Sequence, residues 1–522
     1  MKSPLNNASL NVLLVMTDQQ RADHVGFGGH PLVRTPHLDA LAARGQRFER
    51  CHVANPICMP NRATILTGRM PSVHGTRMNG IPLDWDANTF VRALRGAGYD
   101  TSLVGKAHFQ NMGQPGLDDQ RLGGPWDPVE PPRAVDWDLW EEMGRHRSTW
   151  VDLPPDYYGF DRVELVTGHT DAASGHYVHW LRSHGVDPDE VRGPESATQR
   201  YEGWNQVYQS CLPPELYHTN YVAERACAHL ERVAASERPF FLQVSFPDPH
   251  HPFGPPGEYF HRHDPASVTL PATWEDELRG APDHIRFIAS VVGQQSFPVQ
   301  PFRPTEEQFR HAVAAELGMI ELIDDAVGRI LDELERHGLA DDTLVIFTSD
   351  HGDMMGDHGI ILKGSMHYSG CTRVPLVFAG PGLGPASTNS LASSVDLAPT
   401  ILDCCGVEPY RGMQGASLLP VLDGSATKVR DSLLVEEDQP FDLYNTGHGI
   451  RMRSLITPDA RLTLYEGTAV AELYDLDADP LETRNLASDP SATALRSRML
   501  EGMTRSLIDH DDHGPRALRF TA

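Results

Sequence analysis

The sequence predicts an α/β protein: a large mixed, mostly parallel sheet with helices on both faces, followed by a small C-terminal antiparallel α+β domain. Three observations carry this expectation. Continuous apolar segments of strand length alternate with amphipathic helical segments, as in a sheet covered on both sides. Asp18, Lys106, His250 and Asp350 each come directly after a predicted strand, and such sheets bind ligands at the carboxyl ends of their strands. Late in the chain the pattern changes to short, closely spaced strands.

The first strand is the apolar run at 11–17, which ends at Asp18. Thr35-Pro36 opens a helix that Gly45 closes, with Leu38, Leu41 and Ala42 on its inner face. A helix at 88–97 precedes a strand at 99–104. Val222, Ala226, Leu230 and Val233 mark a helix over 219–235, and 240–246 is a near-continuous apolar strand. The longest helix starts at the capping box Thr305-Glu-Glu-Gln308. It carries Phe309, Val313, Leu317, Ile320, Ile323, Ile330 and Leu334 at helical spacing and stops at Gly338. Strands at 343–348 and 374–379 and a helix near 396–405 follow. Residues 1–424 are therefore expected to form the large domain, which carries the strand-end residues Asp18, Lys106, His250 and Asp350. Two stretches interrupt it: 111–217, rich in Pro, Gly and Trp (Trp126, Trp137, Trp140, Trp150), and the proline-rich 252–304. They are expected to be loops over the active-site rim. Residues 425–522 form the small domain, with strands at 432–436, 450–456, 461–466 and 472–475 and a helix near 490–509.

Composition narrows the function. At 522 residues, 40% hydrophobic and 22% charged, the chain reads as a globular protein with one large domain and one small one. A formal net charge of −27 argues against nucleic acid as a partner. No segment approaches the ~20 apolar residues of a membrane span, and the N-terminal apolar stretch reads as a strand, not a signal peptide. A cytoplasmic enzyme is expected. The seven cysteines are scattered and odd in number, so no disulfide framework is expected.

The densest chemical signal is Cys58-Met-Pro-Asn-Arg62, running on to Thr67-Gly68. Pro60 suits the first turn of a helix, where its missing N–H costs nothing. Cys58 then sits at the positive end of the helix dipole, which favours developing negative charge. Arg62, one turn on, is expected to turn its fork toward the same oxyanion. A lone Cys before Pro and Arg is otherwise an ordinary buried thiol. Asp18-Gln19 and Asp350-His351, each at a strand end, are metal-type pairs facing one crevice.

The pattern C-x-P-x-R resembles the sulfatase signature, and further blocks resemble that family in its order. They are Asn11-Val-Leu-Leu-Val-Met-Thr-Asp18-Gln-Gln-Arg-Ala-Asp23, Arg34-Thr-Pro-His-Leu-Asp39, Gly105-Lys106-Ala-His108 and Pro249-His250-His-Pro-Phe253. Thr348-Ser-Asp350-His351-Gly-Asp-Met-Met-Gly-Asp-His358-Gly, Lys363 and Glu472-Leu-Tyr-Asp-Leu-Asp-Ala-Asp-Pro480 follow. The resemblance implies the alkaline-phosphatase-like fold. It also implies oxidation of Cys58 to formylglycine by a formylglycine-generating maturation enzyme. Asp18, Gln19, Asp350, His351 and the modified Cys58 become ligands of one divalent cation, Ca²⁺ first with Mn²⁺ open. Many relatives have Asp at the Gln19 position and Asn at the His351 position, and the Gln/His version belongs to a bacterial branch.

By the same resemblance Arg62 holds the formylglycine hydrate and its helix end, Lys106 and Lys363 neutralise sulfuryl oxygens, and His250 protonates the departing alcohol. His108 takes the proton whose loss expels sulfate. His251 and His358 are read as supporting residues. His367, Tyr368 and Arg373 have no fixed role, and His510-Asp-Asp-His513 reads as solvated. The expected activity is hydrolysis of a small sulfate monoester, with phosphonate monoester or phosphodiester hydrolysis as the alternative; Lys106-Ala-His108 favours the sulfatase. A non-catalytic binding protein with an unmodified Cys58 is the remaining alternative. The Trp-rich loops are expected to stack on an aryl or sugar ring. The ester itself and the oligomeric state, including a homo-oligomer, are left open.

Overall fold

The computed structural model describes residues 5–113, 136–293 and 300–514. A ten-stranded sheet runs through the molecule in the order Arg373–Val374, Gln46–His52, Leu376–Ala379, Thr343–Ser349, Asn11–Thr17, Phe240–Ser245, Asp100–Gly105, Arg162–Thr167, Ser174–Gly175; Ala386–Ser393 pairs alongside Gln46–His52. The five strands from Thr343–Ser349 to Arg162–Thr167 are mutually parallel. Antiparallel pairings enter at both margins, through Leu376–Ala379, Arg373–Val374 and Ser174–Gly175. The expected strand at 374–379 is thus two short ones, broken at Pro375, which has no N–H to donate.

Alternation along Asn11–Thr17 assigns the two faces. Val12, Leu14 and Met16 pack with the helices Cys58–Thr67, Phe90–Gly96 and Leu397–Cys404. Leu13 and Val15 face the helices Pro36–Arg44, His218–Ala234 and Glu306–Arg336. Both faces are covered, so the strand is apolar from Val12 to Met16. The capping box of the longest helix is present, with both Thr305–Gln308 hydrogen bonds made. Thr35 does not cap the helix Pro36–Arg44. The buried Asp324 carboxylate does, accepting from the N–H groups of His37 (3.1 Å) and Leu38 (2.8 Å).

The stretch 111–217, expected as loops, contributes the sheet strand Arg162–Thr167 and the helix Tyr177–Ser183. Trp126 lies outside the described residues. Trp140 packs on Trp85 (centroids 4.8 Å) and Tyr157, and Trp150 stacks on His176 at 4.4 Å. Trp140 is thus held in the protein's own packing, whereas Trp150 remains 51% exposed beside His176.

The small sheet is a meander of Leu433–Gln439, Ile450–Ile456, Ala460–Tyr465 and Ala471–Asp475, with Met499 and Met503 of the helix Thr493–Asp509 buried against it. Its apolar cluster also includes Ala54, Met70 and Val395 of the preceding segments, so it is packed onto the main body. All seven cysteines are free. No helix among the described residues is long and apolar enough to cross a membrane.

Register positions the site. Thr17 pairs with Ser349, Met16 with both Thr348 and Ser245, and Gly105 with Ser245. The residues that follow, Asp18, Asp350, Phe246 and Lys106, leave the sheet at one level; Phe246 turns into the core, and the side chains of Asp18, Asp350 and Lys106 gather at one carboxyl edge.

Candidate functional site

Cys58 is the first residue of a ten-residue helix whose residues are all buried. Ile57 before it is extended and provides no side-chain cap; Asn79 Oδ1 accepts from the Met59 N–H instead (3.1 Å), and Pro60 has no N–H to satisfy. The Cys58 Sγ lies 3.1 Å from His351 Nε2 and 3.8 Å from Asp18 Oδ1. His351 donates its Nδ1–H to the Gly352 carbonyl (2.9 Å), which leaves the Nε2 lone pair facing the thiol. Single ligand atoms of Asp18, Cys58, Asp350 and His351 all lie within 4.8 Å of one another. Two carboxylates, an imidazole nitrogen and the atom on residue 58 form a donor set that fits one divalent cation. Gln19 stands beside them in a left-handed conformation (φ 66°), with its N–H on Asp350 Oδ1 (3.1 Å). Its Nε2 donates to Asp353 Oδ2 (2.7 Å), and its Oε1 accepts from Lys363 Nζ.

Arg62 departs from expectation. Its guanidinium is fully buried and spent on the protein: Nε donates to Asp350 Oδ2 (2.7 Å), Nη1 to the Lys106 carbonyl (2.8 Å) and Ser245 Oγ (2.9 Å), and Nη2 lies 3.4 Å from Asp18 Oδ2. The fork orients the two metal-type carboxylates and is not aimed at an oxyanion.

Lys106 Nζ donates to Asp18 Oδ2 and, at 2.7 Å, to His169 Nε2. His169 lies flat on His250, which in turn stacks on His251 at 4.1 Å. His250 Nδ1–H donates to the His251 carbonyl, so Nε2 is the nitrogen it can present. His251 Nδ1 lies 3.2 Å from Gln19 Nε2. His108 has φ 55° and a buried Nδ1 without a partner among the described residues, and the backbone there is tied down by Glu141. That carboxylate accepts from the N–H groups of His108 (2.6 Å), Phe109 and Gln110.

Burial dominates the electrostatics. It raises the Cys58 thiol to about 11, with the charge of Asp18 adding to the effect, so the unmodified thiol stays protonated at neutral pH. Burial, the largest single influence, would raise Asp18, but Lys106, His250, His169 and Arg62 together outweigh it and hold the carboxyl well below its usual range. His351 falls to about 4 and His169 to about 3, both through burial first. His108, His250 and His251 lie well below their ordinary value for the same reason. The neighbouring Lys106, His169 and Lys363 respectively add to the shift.

Several residues lie elsewhere. His358 bonds Asp276 (2.6 Å) and stacks on Tyr368, itself in contact with Tyr474. His367 bonds Ser454 of the small sheet (2.8 Å). Arg373 stands on an edge strand, where its carbonyl accepts from Ala22. Asp511, Asp512 and His513 are exposed. Sequence reasoning missed His169, Glu141 and Asp353. His169 follows the strand Arg162–Thr167 by two residues, so the strand-end rule would have found it had that strand been recognised.

With this geometry in view, the comparisons are consistent. The family model described as Sulfatase matches residues 10–134 and 154–407, and the one described as N-sulphoglucosamine sulphohydrolase, C-terminal, matches 356–508. The chain is 29% identical over 491 residues to an arylsulfatase of Clostridium perfringens, covering 91% of this chain and 90% of that one. It is 28% identical over 486 residues to a choline-sulfatase of Rhizobium meliloti, covering 92% and 83% respectively. Among solved structures, a phosphonate monoester hydrolase of Agrobacterium radiobacter superimposes with a TM-score of 0.77 at 28% identity, covering 96% of each chain.

Proposed function

Because the chain belongs to the sulfatase family, we propose that it hydrolyses a small sulfate monoester, of the aryl sulfate kind, through a formylglycine formed at Cys58. The observation that carries this reading is the setting of Cys58. Its sulfur stands at a buried helix start between Asp18 and His351, in a pocket that also holds Lys106, Lys363 and three stacked imidazoles. Asp18, Gln19, Asp350, His351 and residue 58 would hold a divalent cation, Ca²⁺ in the first instance, which supplies positive charge against the ester oxygens when bound.

The chain's own groups do the rest. One hydroxyl of the formylglycine hydrate, ionised by loss of its proton to solvent, would attack sulfur, and the bond from sulfur to the alcohol oxygen would break. Lys106 and Lys363 offset the charge that builds on the sulfuryl oxygens. His250 is neutral in the free protein, so it acts as proton donor through Nε2 only after taking up a proton as the anionic ester enters beside it. His108, with an uncommitted buried Nδ1, takes the proton from the second hydroxyl. The C–O bond to the sulfate then breaks and the aldehyde returns. An unmodified Cys or Ser cannot regenerate itself this way.

The second reading, phosphonate monoester or phosphodiester hydrolysis, is favoured by the superposition on a phosphonate monoester hydrolase. Lys106 and His108 in one loop favour the sulfate ester. Mass spectrometry of the Cys58 peptide and kcat/KM on nitrophenyl sulfate, choline sulfate, a sulfosugar and phenylphosphonate monoesters test both. Aldehyde at residue 58 with sulfate esters preferred is expected. Full activity with an unmodified thiol would overturn the mechanism, and phosphonate esters turning over fastest would reverse the assignment.

A further inference from the structure

Lys363 sits in a loop whose backbone cannot hold itself. Leu362 (φ 72°), Gly364 (φ 116°) and Ser365 (φ 55°) all have positive φ, a region disfavoured for residues with side chains. Such a loop persists only when its surroundings over-determine it. On the N-terminal side, Leu362 donates its N–H to Asp353 Oδ1 (2.9 Å), while Asp353 Oδ2 accepts from Gln19. On the C-terminal side, the Ser365 peptide is gripped at both ends. Its N–H donates to Glu437 Oε1 (2.6 Å), and its carbonyl accepts from His284 Nε2 (2.8 Å).

Glu437 belongs to the small sheet, on the strand Leu433–Gln439, and is only 4% exposed. A carboxylate buried on a strand of a small sheet needs a reason. Neither the packing of that sheet nor an ion pair with Arg or Lys provides it. Glu437 Oε2 has no hydrogen bond among the described residues and stands 3.4 Å from His367 Nε2. The preceding Glu436 points the other way, accepting from the Ser72 N–H (2.8 Å) and hydroxyl (3.0 Å), and its own N–H donates to the Ala54 carbonyl, ahead of the Cys58 helix.

We infer that Glu437, with His284, is a positioning residue for Lys363: the small sheet reaches into the catalytic half and sets where that ammonium stands. The inference rests on the reading of Lys363 as a partner of the sulfuryl oxygens. Glu437→Leu removes the acceptor and leaves the Ser365 N–H buried without a partner. Glu437→Gln keeps an oxygen in the same place.

The test is a double-mutant cycle on kcat/KM for nitrophenyl sulfate, using full-length metal-loaded protein. Glu437→Leu should lower kcat/KM by roughly tenfold or more, and Glu437→Gln should restore most of it. In a Lys363→Met background, Glu437→Leu should change kcat/KM by less than about twofold. An equal loss in both backgrounds would show that Glu437 acts on the fold at large and would overturn the inference. So would wild-type activity in Glu437→Leu. If Lys363→Met itself keeps full activity, the reading of Lys363 is wrong and the inference goes with it, a result distinct from the other two. Should Glu437→Leu fail to fold, His284→Ala enters the same cycle, with the same non-additivity expected and simple additivity overturning the inference.

Discussion

The imidazole of His169 lies flat against that of His250, with ring centroids 3.7 Å apart and planes 7° from parallel. His169 also accepts from Lys106 at 2.7 Å, so a single side chain from the strand end at 167 touches two of the groups proposed to act on the ester. His169→Ala should free the Lys106 ammonium to pair with Asp18 alone and leave one face of His250 open. A fall in kcat/KM of about 10- to 100-fold is expected, on the order of one or two buried hydrogen bonds. Thermal stability should change little. Steady-state kinetics beside a melting curve check this, and unaltered kcat/KM would remove His169 from the site.

The two proposed proton carriers separate by leaving group. His250→Ala should penalise esters of weakly acidic alcohols far more than nitrophenyl esters, whose oxygen needs little protonation. His108→Ala should lose turnover regardless of leaving group and trap covalent sulfate on residue 58 after a first burst. Plots of log kcat/KM against leaving-group pKa, with mass spectrometry of the trapped protein, read both. Equal slopes without an adduct would mean the roles are wrongly divided.

Removing a metal-type carboxylate has two separable effects. Asp18→Ala and Asp350→Ala should each lose the cation and most of the activity, measured by elemental analysis. Asp350→Ala also strands the buried Arg62 guanidinium, at a cost of about 3–5 kcal/mol of stability. Asp350→Asn, which keeps an oxygen for Arg62 Nε, should lose the metal with a much smaller drop in melting temperature. Stoichiometric metal in both Ala variants would place the cation elsewhere.

Away from the site, burial lifts the Asp324 carboxyl from its ordinary value to about 6. The folded state therefore holds that proton more tightly than the unfolded one. Stability contributed by this group is fully present below about pH 4 and falls as pH rises to about 6, by about 3 kcal/mol at most. Asp324→Asn cannot ionise, so its difference in urea midpoint from wild type should shift in the variant's favour across that window. A difference independent of pH would show that the carboxyl is not displaced.

What was legible in the sequence was what local chemistry alone determines. Thr305 and Gln308 announced the capping box that the structure shows with both bonds made. The apolar run ending at Asp18 reads as a first strand, and the structure places it inside the sheet between Thr343–Ser349 and Phe240–Ser245. Gln46–His52 was missed because it carries Arg47, Glu49 and Arg50, and its strand character comes from neighbours distant in sequence, Leu376–Ala379 and Ala386–Ser393. Arg162–Thr167 was missed for the same reason, with its first residues half exposed and charged, and His169 was lost with it. Arg62 was read as an anion fork because helix geometry fixes only its side of the helix. Which acceptors saturate a guanidinium depends on Asp350, Ser245 and the Lys106 carbonyl, which arrive from other strands.

The hydrogen bond from Gln19 to Asp350 spans 331 residues, and Cys58, 2% exposed, lies beside the wall those residues build. During synthesis the thiol emerges long before Thr343–Ser349 exists to close that wall. Until then Asn11–Thr17 has no partner on one edge, a state open to misassembly. If Cys58 is oxidised as proposed, an enzyme acting on it would meet the thiol most readily in this same interval, because the folded chain buries it. Under that proposal, translation speed over the middle of the chain would act on two outcomes in opposite senses: slower elongation would favour complete oxidation and prolong the exposure of an apolar edge.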